Sequence, residues 1–234
     1  MTLEFTKLHG AGNDYIAIDG RGIERDWGAL SKAMSVLAFG VGSDGIVLAQ
    51  DSDIAQIRMR VYNPDGSEAE MSGNGIRLFA KFVIDRKFAL PGDNGLTVET
   101  GGGVRIVWPT MEGDKMVAAK VAMGEPTFIP DEIPVNTAEI GDLEIIKDFP
   151  INAGGRDMKI TCLAVGNPHA VVITEEPVED FPLTDIGPHV EHHPLFPNRV
   201  NFEIVNVITR SQIRARIFER GAGETMSSGT GSTA

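Results

Sequence analysis

Residues 58–75 read RMRVYNPDGSEAEMSGNG, and residues 214–231 read RARIFERGAGETMSSGTG. The two stretches align without a gap and share two arginines, a glutamate and the final S-G-x-G at matched positions. A second match lies upstream, where GAGNDYIAID at residues 10–19 resembles AVGNPHAVVI at residues 164–173. Two matches in the same order predict that the chain holds two copies of one structural unit.

A proline-rich bridge at residues 124–134 (GEPTFIPDEIP) separates the two copies. We therefore predict an N-terminal lobe of residues 1–124 and a C-terminal lobe of residues 125–234. The first copy continues far beyond Gly75, whereas only Ser232, Thr233 and Ala234 follow Gly231. By analogy with the first copy we expect the C-terminal lobe to be incomplete, by about 40–50 residues. The sheet edge that this would leave open is compatible with a homodimer.

Short β-branched runs between Gly, Pro, Asn and Asp residues dominate the sequence and predict many strands joined by turns. The predicted strands are 15–19, 45–49, 57–62, 96–99, 104–107, 116–123, 159–165, 170–174, 200–208 and 212–218. Two segments, 27–36 and 74–86, have apolar residues at helical spacing. Many strands with few helices predict the α+β fold class.

The composition excludes several classes of protein. Lys and Arg number 21 against 33 Asp and Glu, giving a net charge of −12, so we expect neither a nucleic-acid partner nor an anionic membrane partner. The sequence has no apolar signal core and no stretch of about 20 apolar residues, which predicts a cytoplasmic protein. The single cysteine, Cys162, excludes an internal disulfide framework and is predicted to be a buried strand residue.

The duplicated S-G-x-G turns are the candidate functional elements. Glycines expose backbone N–H groups and a helix start adds positive partial charge, so each turn suits a carboxylate or phosphate. One such turn alone is more often only a turn, but duplication at matched positions favours a function. Two related groups that face one bound carboxylate suit the inversion of its α-carbon, because one group removes the α-proton and the other returns it on the opposite face.

Four segments of the chain, in order, resemble the diaminopimelate epimerase family: HGAGNDYIAID, YNPDGSEAEMSGNGIR, GNPH and ERGAGETMSSGTG. The resemblance implies a cofactor-independent isomerase that interconverts LL- and meso-diaminopimelate, a small-molecule substrate, for lysine and cell-wall biosynthesis. It also implies two pseudo-symmetric lobes, each a mixed β-sheet wrapped around a central helix, with the active site in the cleft between them.

The resemblance further implies roles for individual residues. The side chains implied to bind the substrate are Asn13, Asn63, Asn167, Asn201 and Arg220. Arg220 would take the distal carboxylate, which its guanidinium can bind with two hydrogen bonds. The residues implied to surround the reacting carboxylate with N–H donors are Gly73, Asn74, Gly229 and Thr230. His169 and Glu219 would lie beside the reacting centre.

The sequence departs from the family at both acid/base positions, where the family has cysteines and this chain has Ser72 and Ser228. A thiol has a pKa of about 8.5 that falls at a helix N-terminus, whereas a serine needs a neighbouring base. Three interpretations are open: engineered replacements, a natural paralogue that has lost or changed its reaction, or a serine activated by His169, Glu70 or Glu219. We expect diaminopimelate epimerase activity impaired by the serines.

Two other functions remain open from the sequence. One is a proline racemase-like or hydroxyproline dehydratase-like isomerase of the same fold, and the other is a non-catalytic amino-acid-binding paralogue.

The histidines of HVEHHP lack a placed partner for a metal, so we interpret the segment that holds His189, His192 and His193 as a surface loop and expect no metal. Asp44 is expected to shape a turn, and Gly45 leaves in doubt a substrate contact that some relatives make there through Gln.

Overall fold

The computed structural model describes residues 2–234. They divide into two compact units, the first ending at Gly124 and the second beginning at Glu125. The first unit holds an eight-stranded sheet in the order β1-β2-β3-β4-β6-β7-β8, with β5 paired to β4. Its strands are β1 Thr6–Gly10, β2 Asn13–Asp19, β3 Ile46–Gln50, β4 Ile57–Tyr62, β5 Glu68–Ala69, β6 Leu96–Thr100, β7 Gly103–Glu112 and β8 Lys115–Val121. Its helices are α1 Trp27–Met34 and α2 Gly73–Asp85.

Helix α2 forms because its sequence combines an N-cap with one continuous apolar face. The Ser72 hydroxyl accepts a hydrogen bond from the Gly75 amide at 3.0 Å, which satisfies one of the first-turn donors of the helix. Ile76, Phe79 and Val83 are completely buried in the core of this unit, beside strand residues of its sheet. The helix therefore packs against the sheet through the face that the apolar spacing predicts.

The second unit holds a six-stranded sheet in the order β14-β13-β12-β11-β10-β9. Its strands are β9 Phe149–Ala153, β10 Arg156–Ala164, β11 Pro168–Ile173, β12 Asn201–Thr209, β13 Gln212–Glu219 and β14 Gly223–Thr225, and its helices are α3 Thr137–Ile140 and α4 Leu183–Glu191. Both sheets are mixed, because β2–β3, β4–β6 and β11–β12 pair in parallel while their other strand pairs are antiparallel. The α+β fold class is therefore confirmed.

The two units repeat the same contacts at matched positions. In β4 and β5, Arg60 binds Glu68 through two hydrogen bonds of 2.7 and 2.6 Å. In β13 and β14, Arg216 binds Glu224 in the same way, at 2.8 and 3.0 Å. The strand registers agree as well, since Ile46 pairs with Tyr62 where Phe202 pairs with Phe218. The repeated sequence thus forms the same hairpin twice, each leading into an S-G-x-G turn.

Helix α4 contradicts the interpretation of the histidine-rich segment as a loop, because His189 lies inside the helix and His192 caps it. The sequence hid this helix, since Gly187 and Pro188 both disfavour a helix interior. Packing overrides that preference: Leu183 and Val190 are completely buried in the core of the unit, and a side chain at Gly187 would overlap the Phe218 ring.

Cys162 lies in β10 and is completely buried. Burial, with a smaller contribution from the nearby Glu203 carboxyl, raises the pKa of its thiol to about 12. It is thus the buried strand residue that was predicted. Separately, no helix within residues 2–234 has the length and apolar character needed to cross a membrane.

Candidate active site

The first turn, residues 72–75, forms the N-terminus of α2. Ser72 is the N-cap, Gly73 is the first helical residue, and Gly73 and Asn74 are buried. The first amides of a helix have no acceptor within the helix, and the helix dipole is positive there. Both features favour an anion over a cation at this turn. The Tyr15 hydroxyl lies 3.3 Å from Ser72 Oγ and fixes the serine side chain from β2.

Asn13, at the start of β2, is held by Asp44. The Asn13 amide donates to Asp44 Oδ2 at 2.7 Å, and the Asp14 backbone N–H donates to the same oxygen at 2.9 Å. Gly45 follows with a φ of +135°, and a side chain there would collide with the Tyr62 carbonyl oxygen. Asp44 therefore orients Asn13, and this backbone admits no glutamine at position 45.

Asn63 lies in the turn between β4 and β5. Its backbone N–H donates to the Ser67 carbonyl at 2.8 Å, and its side-chain amide donates to Ser67 Oγ at 3.0 Å. Gly66 donates back to the Asn63 carbonyl at 3.0 Å, which closes the turn. Asn63 thus shapes the hairpin that precedes the first turn.

The second turn, residues 228–231, repeats the cap of the first turn. The Gly231 amide donates to Ser228 Oγ at 3.2 Å, as Gly75 does to Ser72. Ser228 and Thr230 are buried, and their hydroxyl oxygens lie 3.3 Å apart. The Gly229 carbonyl accepts a hydrogen bond from the Thr233 hydroxyl at 2.8 Å. The backbone around Ser228 is therefore fixed by its own turn.

Glu219, the last residue of β13, is the carboxylate that contacts Ser228. The Ser228 hydroxyl donates to Glu219 Oε2 at 3.3 Å, and the Thr225 hydroxyl donates to Glu219 Oε1 at 2.6 Å. Burial raises the pKa of the Glu219 carboxyl, and the hydrogen bonds from Thr225 and Ser228 oppose this rise. A carboxylate with a raised pKa that contacts a hydroxyl can act as its general base.

His169, in β11, is completely buried and both of its ring nitrogens are occupied. Nδ1 lies 2.7 Å from Glu203 Oε1, and Nε2 lies 2.8 Å from Asn167 Oδ1. The Asn167 amide nitrogen lies 3.4 Å from Thr230 Oγ1. His169 is thus engaged with Glu203 and Asn167, while Glu219 is the acidic residue that contacts Ser228.

Asn201 and Arg220 are connected to each other. The Arg220 backbone N–H donates to Asn201 Oδ1 at 2.9 Å, and the Asn201 amide donates to the Pro168 carbonyl at 2.8 Å. The Arg220 guanidinium donates to the Asn198 carbonyl at 3.1 Å. Asn201 is buried and Arg220 partly exposed. Asn201 therefore links the start of β11 to the arginine that follows β13.

The second unit thus joins five of the predicted site residues in one hydrogen-bonded network: Asn167, His169, Glu219, Ser228 and Thr230. Sequence reasoning missed Glu203 in this network and Tyr15 beside Ser72. Glu203 could have been noticed because a carboxylate is unusual inside an apolar run such as residues 200–205. Within the described residues 2–234, no three His, Cys, Asp or Glu side chains are grouped to hold a metal ion.

The family model of diaminopimelate epimerase matches residues 5–129 and 161–234. The chain belongs to the diaminopimelate epimerase family. It is 45% identical to the diaminopimelate epimerase of Acetivibrio thermocellus, over 99% of this chain and 81% of that protein. It is 44% identical to the diaminopimelate epimerase of Methanococcus maripaludis, over 99% of this chain and 82% of that protein. The family is one of amino-acid epimerases, which are isomerases.

Solved structures share the fold at low identity. A probable proline racemase from Agrobacterium radiobacter K84 aligns with a TM-score of 0.71 and 14% identity, over 100% of this chain and 75% of that chain. A hydroxyproline epimerase from Agrobacterium vitis aligns with a TM-score of 0.69 and 14% identity, over 99% of this chain and 75% of that chain. At this identity the likeness concerns the fold alone.

Proposed function

We propose that this chain epimerises LL-diaminopimelate to meso-diaminopimelate without a cofactor, as a cytoplasmic enzyme of lysine and cell-wall biosynthesis. Identities of 44–45% to relatives named diaminopimelate epimerase support this substrate, whereas the proline racemase shares 14%. We propose further that the serines at the two base positions slow the reaction, because a hydroxyl is a far weaker acid than a thiol.

The proposed binding mode takes the residue roles that the family resemblance implies and adds the chemistry of the two turns. The backbone N–H groups of Gly73, Asn74, Gly229 and Thr230 would surround the reacting carboxylate. Removal of the α-proton leaves a carbanion whose charge spreads onto that carboxylate, so fixed donors would stabilise the intermediate. Asn13, Asn63, Asn167 and Asn201 would contact the polar groups of the substrate, and Arg220 would bind its distal carboxylate.

In the proposed proton path, one serine accepts the α-proton on one face of the carbon and the other serine returns a proton on the opposite face. The contact between Ser228 and Glu219, at 3.3 Å, carries this path. As Ser228 Oγ takes the proton from the α-carbon, its own hydroxyl proton moves to Glu219 Oε2. The C–H electron pair stays on the substrate until Ser72 supplies its hydroxyl proton. Solvent then reprotonates Ser72 and takes the proton from Glu219, so the cycle closes without an oxidant or reductant.

Exchange of the α-proton tests the proposed function. In heavy water, the chain is expected to incorporate deuterium at the α-carbon of LL-diaminopimelate faster than buffer does, as followed by proton NMR. Calorimetric binding of diaminopimelate without exchange would favour the non-catalytic binding protein. Exchange with proline or hydroxyproline, but none with diaminopimelate, would favour the other isomerase.

Replacing Glu219 by Gln is expected to lower the residual exchange rate about tenfold. The amide keeps the shape and can still contact Ser228, but it cannot take its proton. Because the acting form of Glu219 is deprotonated, the exchange rate should rise with pH, and its midpoint should lie above the usual glutamate range because burial raises the Glu219 pKa. Glu224→Gln, on the neighbouring strand, is the control. An unchanged rate and pH profile in Glu219→Gln would exclude Glu219 as the base.

A further inference from the structure

Glu203 is a buried carboxyl to which no role was assigned from the sequence. It lies in β12 with 1% of its surface exposed, and its Oε1 contacts His169 Nδ1 at 2.7 Å. Its second oxygen, Oε2, has no hydrogen-bond partner among residues 2–234. Burial raises the pKa of the Glu203 carboxyl, and His169 opposes this rise. A buried polar group of this kind is costly and calls for a specific reason.

In the first unit, the position that matches Glu203 holds a valine, Val47. Val47 pairs with Ala17 in β2 as Glu203 pairs with Val171 in β11, so the two residues occupy equivalent places in the register. Val47 Cγ1 lies beneath Gly75 of the first turn, and Glu203 Oε1 lies beneath Gly231 of the second turn. The duplicated scaffold therefore tolerates an apolar residue here, so the fold itself does not require a carboxyl.

The partner of Glu203 differs between the units in the same way. Tyr15 stands where His169 stands in the second unit, two residues after the matched asparagines Asn13 and Asn167. Tyr15 contacts Ser72 directly at 3.3 Å, whereas His169 contacts Asn167 and Glu203. The histidine and the carboxylate thus occur together in one unit and are both replaced in the other.

The hydrogen-bond geometry defines the protons of this group. A ring nitrogen and a carboxyl oxygen 2.7 Å apart must hold a proton between them. The Asn167 carbonyl oxygen can only accept, so the His169 Nε2 that lies 2.8 Å away carries a hydrogen. With its oxygen bound to His169, Asn167 presents its NH₂ group toward Thr230 Oγ1 of the second turn.

We propose that Glu203 is a positioning residue. Its carboxyl keeps a proton between Oε1 and His169 Nδ1, and the imidazole therefore keeps a hydrogen on Nε2. Because this Nε2–H binds the Asn167 carbonyl oxygen, the Asn167 NH₂ group faces the second turn. Asn167 then offers only donors at this turn, which suits a carboxylate and disfavours a cation. The identity of that carboxylate as part of diaminopimelate rests on the proposed function.

NMR of the ¹⁵N-labelled full chain tests the tautomer without any substrate. The His169 ring signal, identified by its loss in His169→Asn, should show hydrogen on Nε2 that exchanges slowly with water. Glu203→Gln should keep this signal, because its amide N–H can donate to Nδ1. Glu203→Val should lose the slowly exchanging signal. Hydrogen on Nδ1 with a bare Nε2 in the unmodified protein, or an unchanged signal in Glu203→Val, would overturn the proposal.

Calorimetry with LL-diaminopimelate tests the consequence for binding. Glu203→Val should weaken binding about tenfold, and Glu203→Gln less than about threefold. If Glu203→Val fails to fold, the double variant His169→Tyr with Glu203→Val restores the pair found in the first unit and should fold but bind as weakly. Equal affinity in Gln and Val variants would overturn the positioning role. If the unmodified chain binds no diaminopimelate, the proposed function fails and the ring signal still decides this proposal.

Discussion

Replacing Ser72 and Ser228 together by cysteine is expected to raise the rate of diaminopimelate epimerisation by at least about 100-fold. A thiol has a pKa of about 8.5, which the N-terminus of α2 lowers further at position 72, so it supplies a base near neutral pH. A serine hydroxyl supplies none without a partner such as Glu219. Each serine begins a glycine-rich turn, and each hydroxyl oxygen accepts a hydrogen bond from the amide of the glycine that ends the turn. A thiolate at either position would keep that acceptor role.

The measurement is the conversion of LL- to meso-diaminopimelate, followed by proton NMR in water. Each single cysteine variant should gain less than the double variant, because inversion needs one group on each face of the carbon. The double alanine variant is the matched control for activity that does not pass through either side chain. A folded double cysteine variant that is no faster than the serine protein would refute the view that the serines impair the site.

Arg220→Ala should weaken the binding of LL-diaminopimelate about 30-fold or more and leave the binding of L-alanine nearly unchanged. Alanine has the reacting carboxylate but no distal one. The arginine is held in place by its backbone bond to Asn201 and its side-chain bond to Asn198, so the guanidinium is oriented before a ligand arrives. This orientation lowers the entropy that binding costs.

Calorimetry with the two ligands separates this role from a general loss of structure. Arg214→Ala is a suitable control, because Arg214 is an exposed arginine of β13, the strand that Arg220 follows, and pairs with Glu179. The affinity of Arg220→Lys for LL-diaminopimelate should lie between those of Arg220→Ala and Arg214→Ala, since lysine keeps the charge but cannot form the two parallel hydrogen bonds of a guanidinium. Equal losses for both ligands in Arg220→Ala would show that the distal-carboxylate assignment is wrong.

Most of the secondary structure could be predicted from the sequence. The repeated stretch predicted two strand-rich units, and short β-branched runs between Gly, Pro, Asn and Asp residues marked the positions of β2, β4 and β6. Helix α2 was predictable from its cap and its apolar face. Helix α4 was not, because Gly187 and Pro188 hide it and only its packing against Phe218 and the core explains it.

The site was predictable where a motif marks it and unpredictable where strand register creates it. Ser72, Ser228 and their glycines stand in recognisable turns. The contact between His169 and Glu203 joins neighbouring parallel strands, which the linear sequence does not bring together. The contact of Tyr15 with Ser72 likewise depends on how α2 sits on β2. Such pairs follow from tertiary packing, which local patterns do not encode.

The burial of Cys162 has a practical consequence for spectroscopy. Maleimide and iodoacetamide reagents attack thiolates that they can reach, and this thiol is both enclosed and, with a pKa of about 12, protonated at neutral pH. A fluorophore or spin label added to a Ser72→Cys variant, whose position is partly exposed, should therefore attach at the introduced thiol alone. The native chain can serve as its own unlabelled background, with no need to remove its cysteine.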